Sequence, residues 1–148
     1  MNKFLEGIKI TPLKKFENNQ GMVLHMLKES SPEFIKFGEI YFSITYPGII
    51  KGWTRHKKMT QNYAVPVGKL KLVLYDSRKQ SSTFSKLQEI EVGLDDYKLI
   101  TIPPEIWYSF KSIFKENTLI VNCTDLPHDP EEIEKCSINS SDIPYKWD

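Results

Sequence analysis

The sequence predicts an all-β fold, a barrel or a sandwich. Three observations carry this: short runs rich in Val, Ile, Leu, Tyr and Thr, alternation of apolar and polar side chains within them, and turn residues at regular intervals between them. The runs are 22–27, 39–46, 63–68, 69–76, 87–93, 97–103 and 117–124. Lys69-Leu70-Lys71-Leu72 shows the alternation most plainly, with a period of two that puts one face in a core and the other in water. Pro47-Gly48, Val67-Gly68, Gly93 to Asp96 and Pro103-Pro104 punctuate the runs as turns. Helix signals are weaker. Residues 31–37 can form one turn, with Ser31 as cap and Pro32 at the first position. Residues 129–136 predict a short helix, with Asp129 as cap, Pro130 next and acids in the first turn. The tail, "SDIPYKWD", reads as an extended segment whose Tyr and Trp pack against the body.

The chain has 148 residues, enough for one domain with a real core. Its net charge of +1, with 26% charged residues, implies no general attraction to nucleic acid or to anionic membranes. The stretch "MNKFLEGIKI" carries no apolar run long enough for a signal peptide or a membrane span, so a cytoplasmic protein is expected. Cys123 and Cys136 lie in no CxxC spacing and have no His cluster beside them. They read as free thiols rather than as a disulfide or zinc pair.

Functional groups concentrate in "GIIKGWTRHKK", residues 48–58, where Lys51, Arg55, Lys57 and Lys58 surround Trp53 and His56. One His among cations does not make a metal site, which needs three or four converging ligands. The chain has neither a GxSxG elbow nor a glycine-rich phosphate loop. Arg78 follows a strand, and Tyr41, Phe42, Tyr46, Tyr63, Trp107 and Tyr108 lie in or beside strands. Such aromatics and cations at a barrel mouth suit a ligand with a flat base and phosphates. In an extended segment Trp53 and Arg55 share one face, and Gly52, Thr54 and His56 share the other. His25, within the apolar run 22–27, is a further candidate, whereas His128 reads as part of a helix entry.

The order of motifs resembles the dTDP-4-dehydrorhamnose 3,5-epimerase family, the RmlC-like cupins. The likeness is carried by "GEIYFSITYPGIIKGWTRH", "VGKLKLVLYDSRKQSSTF", "LITIPPEIWYSF", "LIVNCTDLPHDPEE" and "IPYKW", and above all by Asp76, Arg78, Ser81 and Thr83 and by Ile102 to Trp107. It runs from about Gly21 to the end of the chain. The resemblance implies a jelly-roll β-barrel with a short C-terminal helical turn, a homodimer, no metal or organic cofactor, and a nucleotide-linked 4-keto-6-deoxy sugar as substrate. The implied chemistry is proton abstraction next to the ketone by a His that an Asp orients. A cation stabilises the enolate, and a Tyr returns a proton to the opposite face.

Several family positions differ here. The family's G-L-H reads Gly52-Trp53-Thr54, and Thr54 is no base at neutral pH. The Arg before that Gly is Lys51, the Lys that faces the keto oxygen aligns with Gln61, and H-G-F reads Tyr108-Ser109-Phe110. The family's Tyr aligns with Val121, before Asn122, and its late Asp has no clear counterpart. The expectation is therefore a moved mechanism. His56, two residues from Thr54 on the same face, or else His25, is the base, and Tyr108 is the acid on the facing wall. Lys51, Arg55, Gln61, Arg78 and Asn122 are the expected substrate contacts. Two alternatives stand beside it: a ketoisomerase that moves the keto group between carbons 4 and 3, and a cupin that binds a nucleotide sugar without chemistry.

Overall fold

The computed structural model describes residues 4–148; the first three residues of the stretch read above for a leader lie outside the described residues. The strands are β1 (Lys9–Pro12), β2 (Lys15–Asn18), β3 (Gly21–Leu24), β4 (Glu39–Thr45), β5 (Ile50–His56), β6 (Gln61–Val67), β7 (Lys69–Asp76), β8 (Leu87–Gly93), β9 (Lys98–Ile102), β10 (Ile106–Ser112), β11 (Thr118–Thr124) and β12 (Ile133–Lys135). Two five-stranded antiparallel sheets form, in the orders β1-β9-β6-β11-β4 and β12-β5-β10-β7-β8, and β2 pairs with β3 as a separate hairpin. The fold is the jelly roll that the motifs imply.

The alternation explains how the sheets close on each other. In β7, Leu70, Leu72 and Leu74 are fully buried and meet Tyr63 and Val65 of β6, Ile100 and Ile102 of β9, and Ile120 of β11. This shared core lies between the two sheets. Val73, on the other face of β7, is buried too, because the tail crosses that face: Ile143, Tyr145 and Trp147 pack there with Trp53. The tail has no regular structure but is held, as its aromatics predict.

Three local readings change. Residues 31–37 make a turn, with Phe34 N–H bonded to Ser31 O, but no helix. The predicted helix at 129–136 shrinks to a 3-10 turn, Pro130–Glu132. Asp129 caps it as expected, accepting from Glu131 N–H. Beyond it, Ile133–Lys135 pair with His56, Arg55 and Thr54. Sheet pairing offers these residues more backbone bonds than one further helical turn, so the local helix signal loses. The third change is in the strands: β1, β2, β5, β10 and β12 lie outside the predicted runs, and β10 is a full central strand between β5 and β7.

Candidate active site

The site is built on β5. Tyr108 of β10 pairs with Thr54 and Phe110 pairs with Lys51, while Ser109 stands opposite Gly52, with a bulge between. The extra residue resets the alternation. Paired residues share a face, so Lys51 and Thr54 turn inward with Tyr108 and Phe110, and Trp53 stays outside in the tail cluster. Gly52 falls out of the predicted inward face. Its φ is +125°, and a Cβ there would lie 2.7 Å from Ser109 Cα, so glycine is required. His56, two residues beyond Thr54, points inward and is 5% exposed.

Glu132 holds the ring of His56. Its Oε1 contacts His56 Nδ1, while Oε2 accepts from the backbone N–H groups of Lys58 (3.1 Å) and Met59 (3.3 Å). Burial opposes ionisation of this carboxyl, but the His56 bond and the two amides outweigh it and hold it below the ordinary Glu range. An ionised Glu132 only accepts, so Nδ1 carries the ring proton and Nε2 is left as the acceptor. Nε2 lies 3.1 Å from the Tyr108 hydroxyl, and the two rings stack with an interplanar angle of 7°. Burial pushes the Tyr108 phenol far above its usual value, so it is the donor in that bond.

Two adjoining cavities of about 350 and 420 Å³ open on this wall, and both are lined by Tyr41, Thr54, Tyr108 and Lys135. The first adds His56, His128 and Glu39; the second adds Lys51 and Tyr63. Tyr41 comes from β4, in the opposite sheet. Its hydroxyl accepts from Asn122 Nδ2 at 2.9 Å, and Asn122 also donates to Gln61 Oε1 at 3.1 Å. Tyr63 OH donates to the same Gln61 oxygen at 3.3 Å. The floor of the site is thus a neutral network. Asn122 Oδ1 is buried without a hydrogen-bond partner among the described residues. Among the described residues no three His, Cys, Asp or Glu side chains gather in a way that could hold a metal ion.

The structure therefore brings Lys51, Thr54, His56 and Tyr108 together at the cavities, with Gln61 and Asn122 behind them. It places the rest of the expected set elsewhere in this chain. His25 packs on Phe16 with ring centroids 5.1 Å apart and lines a separate cavity by the β2–β3 hairpin. Arg55 faces outward, 4.6 Å over the Trp107 ring and paired with Glu134 at 2.5 Å. Arg78 lines neither cavity and spends its guanidinium on Asp76 and Glu6 O. Phe42 and Tyr46 are exposed rather than inward. Tyr108 stands on the same wall as His56, not the facing one, because β10 is the neighbour of β5. Glu132 and Lys135 were missed, and Tyr41 was read only as one of the aromatics of the mouth. Glu132 stands against His56 Nδ1, where the sequence offered no counterpart of the family's late Asp. Its only local signal was the run "DPEE", which reads equally well as the start of a helix.

An antiparallel jelly roll with a carboxylate-held His in a cavity of tyrosines and cations is a fold and site suited to proton transfer beside a carbonyl. The chain belongs to the dTDP-4-dehydrorhamnose 3,5-epimerase family, whose profile matches residues 2–148. It is similar to a dTDP sugar isomerase from Desulfovibrio desulfuricans, with 43% identity, a TM-score of 0.94 and coverage of 97% of this chain and 92% of that one. A dTDP-4-dehydrorhamnose 3,5-epimerase from Bacillus anthracis, solved with TDP and PPi bound, shares the fold at 18% identity and a TM-score of 0.84, over 95% and 85% of the two chains. Among curated proteins, the spore coat polysaccharide biosynthesis protein SpsL of Bacillus subtilis is 25% identical over 97% of this chain and 96% of its own. The probable low-salt glycan biosynthesis epimerase Agl13 of Haloferax volcanii is 28% identical over 86% and 83%.

Proposed function

We propose that this protein is an epimerase or isomerase of a nucleotide-activated 4-keto-6-deoxy sugar, acting by proton abstraction alpha to the ketone in surface-polysaccharide or glycan-precursor synthesis. The carrying observation is His56. Its Nδ1 is fixed by Glu132, and its Nε2 lies on a wall of the cavity beside Tyr108. In this reading His56 is the base, Glu132 orients it, and Tyr41, on the opposite sheet, returns the proton to the other face of the sugar. Lys51 meets the diphosphate. The bound TDP and PPi of the Bacillus anthracis relative and the polysaccharide and glycan roles named for SpsL and Agl13 support the substrate class.

One observation favours a second reading. His56 and Tyr108 are hydrogen-bonded on one wall, an arrangement suited to moving a proton between adjacent carbons on the same face. That is the step of a 3,4-ketoisomerase. One experiment separates the two. The protein is incubated with dTDP-4-keto-6-deoxyglucose in D₂O and followed by NMR. Deuterium at carbons 3 or 5 with inverted configuration is the expected result; a 3-keto product selects the isomerase. No exchange above a His56→Asn control would overturn both.

The same reading takes residues 1–148 as one domain of a cytoplasmic homodimer. Support for the dimer comes from β4, an edge strand with Ile40, Phe42 and Ile44 on its outer face, 49%, 67% and 55% exposed. Sedimentation equilibrium should return twice the 17.3 kDa chain mass. Among the described residues no helix is long and apolar enough to cross a membrane.

A further inference from the structure

We infer that Lys135 supplies the positive charge that stabilises the enolate oxygen, an inference that rests on the proton-abstraction reading above. When the base acts, the Tyr108 hydroxyl gives up its bond to His56 Nε2, the C–H bond alpha to the ketone breaks and its proton passes to that nitrogen. The electron pair left on carbon becomes the new C=C bond, and the carbonyl π pair moves onto oxygen. The negative charge that forms there needs a donor or a cation already in place, since such preorganised groups act without reorganisation as charge develops.

The floor of the site provides no such charge. Gln61, Tyr63 and Asn122 are neutral and bonded to one another. The cations lining the two cavities are Lys51 and Lys135, and Lys135 alone of the two lines both. Its position follows from register. Ile133 stands opposite His56 and Lys135 opposite Thr54, and Thr54 pairs on its other side with Tyr108. Residues opposite one another share a face, so Lys135 turns toward the cavity with Thr54 and Tyr108. Glu134, between them, turns outward, as its pair with Arg55 confirms.

Cross-strand neighbours lie about 5 Å apart at Cβ, and Thr54 and His56 are separated by about 7 Å along the strand. The Lys135 ammonium, on its four-carbon stem, can therefore reach over Thr54 to the region next to His56. The carbon that loses the proton is bonded directly to the carbonyl carbon, so a group serving the oxygen must stand close to the base. Lys135 does. Lys51 lies further along β5, beyond the bulge, and lines only the second cavity, as suits a phosphate contact. Lys135 is exposed, and its side chain makes no ion pair or hydrogen bond with any described residue. Its ammonium is uncommitted.

The test compares Lys135→Met, Lys135→Arg and Lys51→Met by two readouts. One is the rate of deuterium incorporation into saturating dTDP-4-keto-6-deoxyglucose; the other is the calorimetric Kd for dTDP at low and high salt. Lys135→Met is expected to slow exchange by roughly 10²-fold while the dTDP Kd changes less than about twofold. Lys135→Arg should recover part of the rate, and Lys51→Met should instead raise the dTDP Kd in a salt-dependent way. If Lys135→Met weakens dTDP binding and leaves the saturated exchange rate intact, Lys135 is a phosphate contact and the inference falls. Unchanged values in both readouts sink it as well. If the wild-type protein exchanges no deuterium, the proton-abstraction reading itself fails and takes Lys135 with it. Unchanged exchange by Lys135→Met beside an active wild type removes Lys135 alone.

Discussion

Two buried carboxylates in this protein have similar surroundings and opposite meanings. Asp76, at the end of β7, is fully buried. It accepts from Arg78 Nε and a terminal guanidinium nitrogen at 2.9 Å each, from Ser81 Oγ at 2.6 Å and from Thr83 Oγ1 at 2.7 Å. Glu132 accepts from two backbone amides and holds one His. Around Asp76 each donor ends on another residue of the loop or on Glu6, and neither site cavity touches the cluster. Around Glu132 the chain of bonds leads out, through His56 to Tyr108, onto a cavity wall. A closed polar cluster staples a loop. One that ends on a cavity wall can do chemistry. The motif that most resembled a family signature, Asp76 to Thr83, is by this criterion structural.

The contrast breaks first at Glu132. Glu132→Gln removes the charge that fixes the His56 tautomer but keeps an oxygen for the Lys58 and Met59 amides. Deuterium exchange should fall by roughly 10²-fold, part of the value of a positioned base. Denaturant stability should fall by only about 1 kcal/mol. A loss of stability as large as the loss of rate, read by urea titration beside the NMR assay, would make Glu132 another staple and erase the distinction.

What the sequence made legible follows the same division. Lys69–Asp76 and Leu87–Gly93 were read to the residue, because Lys69-Leu70-Lys71-Leu72 and Ile90-Glu91-Val92 alternate and turn residues punctuate the chain around them. His56 was legible from Thr54, since the strand period links them whatever the surroundings. Glu132 was not. It lies 76 positions from His56, and the residues around it, Asp129, Pro130 and Glu131, carry true helix-start signals that the 3-10 turn obeys. Only the pairing of β12 with β5 brings Glu132 to His56 and turns Lys135 toward the cavity, and three-residue pairings leave no periodic trace. Arg55 and Arg78 were read as substrate contacts for a related reason. A cation near a site motif reads as a ligand contact until its partner is seen, and Glu134 and Asp76 are distant or differently employed in sequence. Tyr108 was found but put on the wrong wall, because which strands are neighbours is a property of topology, not of period.

The smaller effect lies at Asp76 and sharpens the comparison from the other side. Burial raises the cost of its charge, but the bonds from Arg78, Ser81 and Thr83 and the Arg78 amide more than offset it, and its carboxyl is held far below the ordinary Asp range. Since the folded state holds this proton less tightly than the unfolded chain, the stabilisation is complete above the unfolded Asp value. It is lost progressively as pH falls below that value toward the depressed folded one. Asp76→Asn keeps the shape and removes the charge. It should cost about 2 kcal/mol at neutral pH, in line with charge-assisted hydrogen bonds. Its stability should also fall less steeply than that of the wild type as pH drops below about 4. Urea midpoints at pH 7 and across the acid range measure both. Exchange per folded molecule should not change, because Asp76 reaches neither cavity. A variant that kept its stability and lost its exchange would place the Asp76 loop in the site after all, and would show that closure of a polar cluster is no guide to its role.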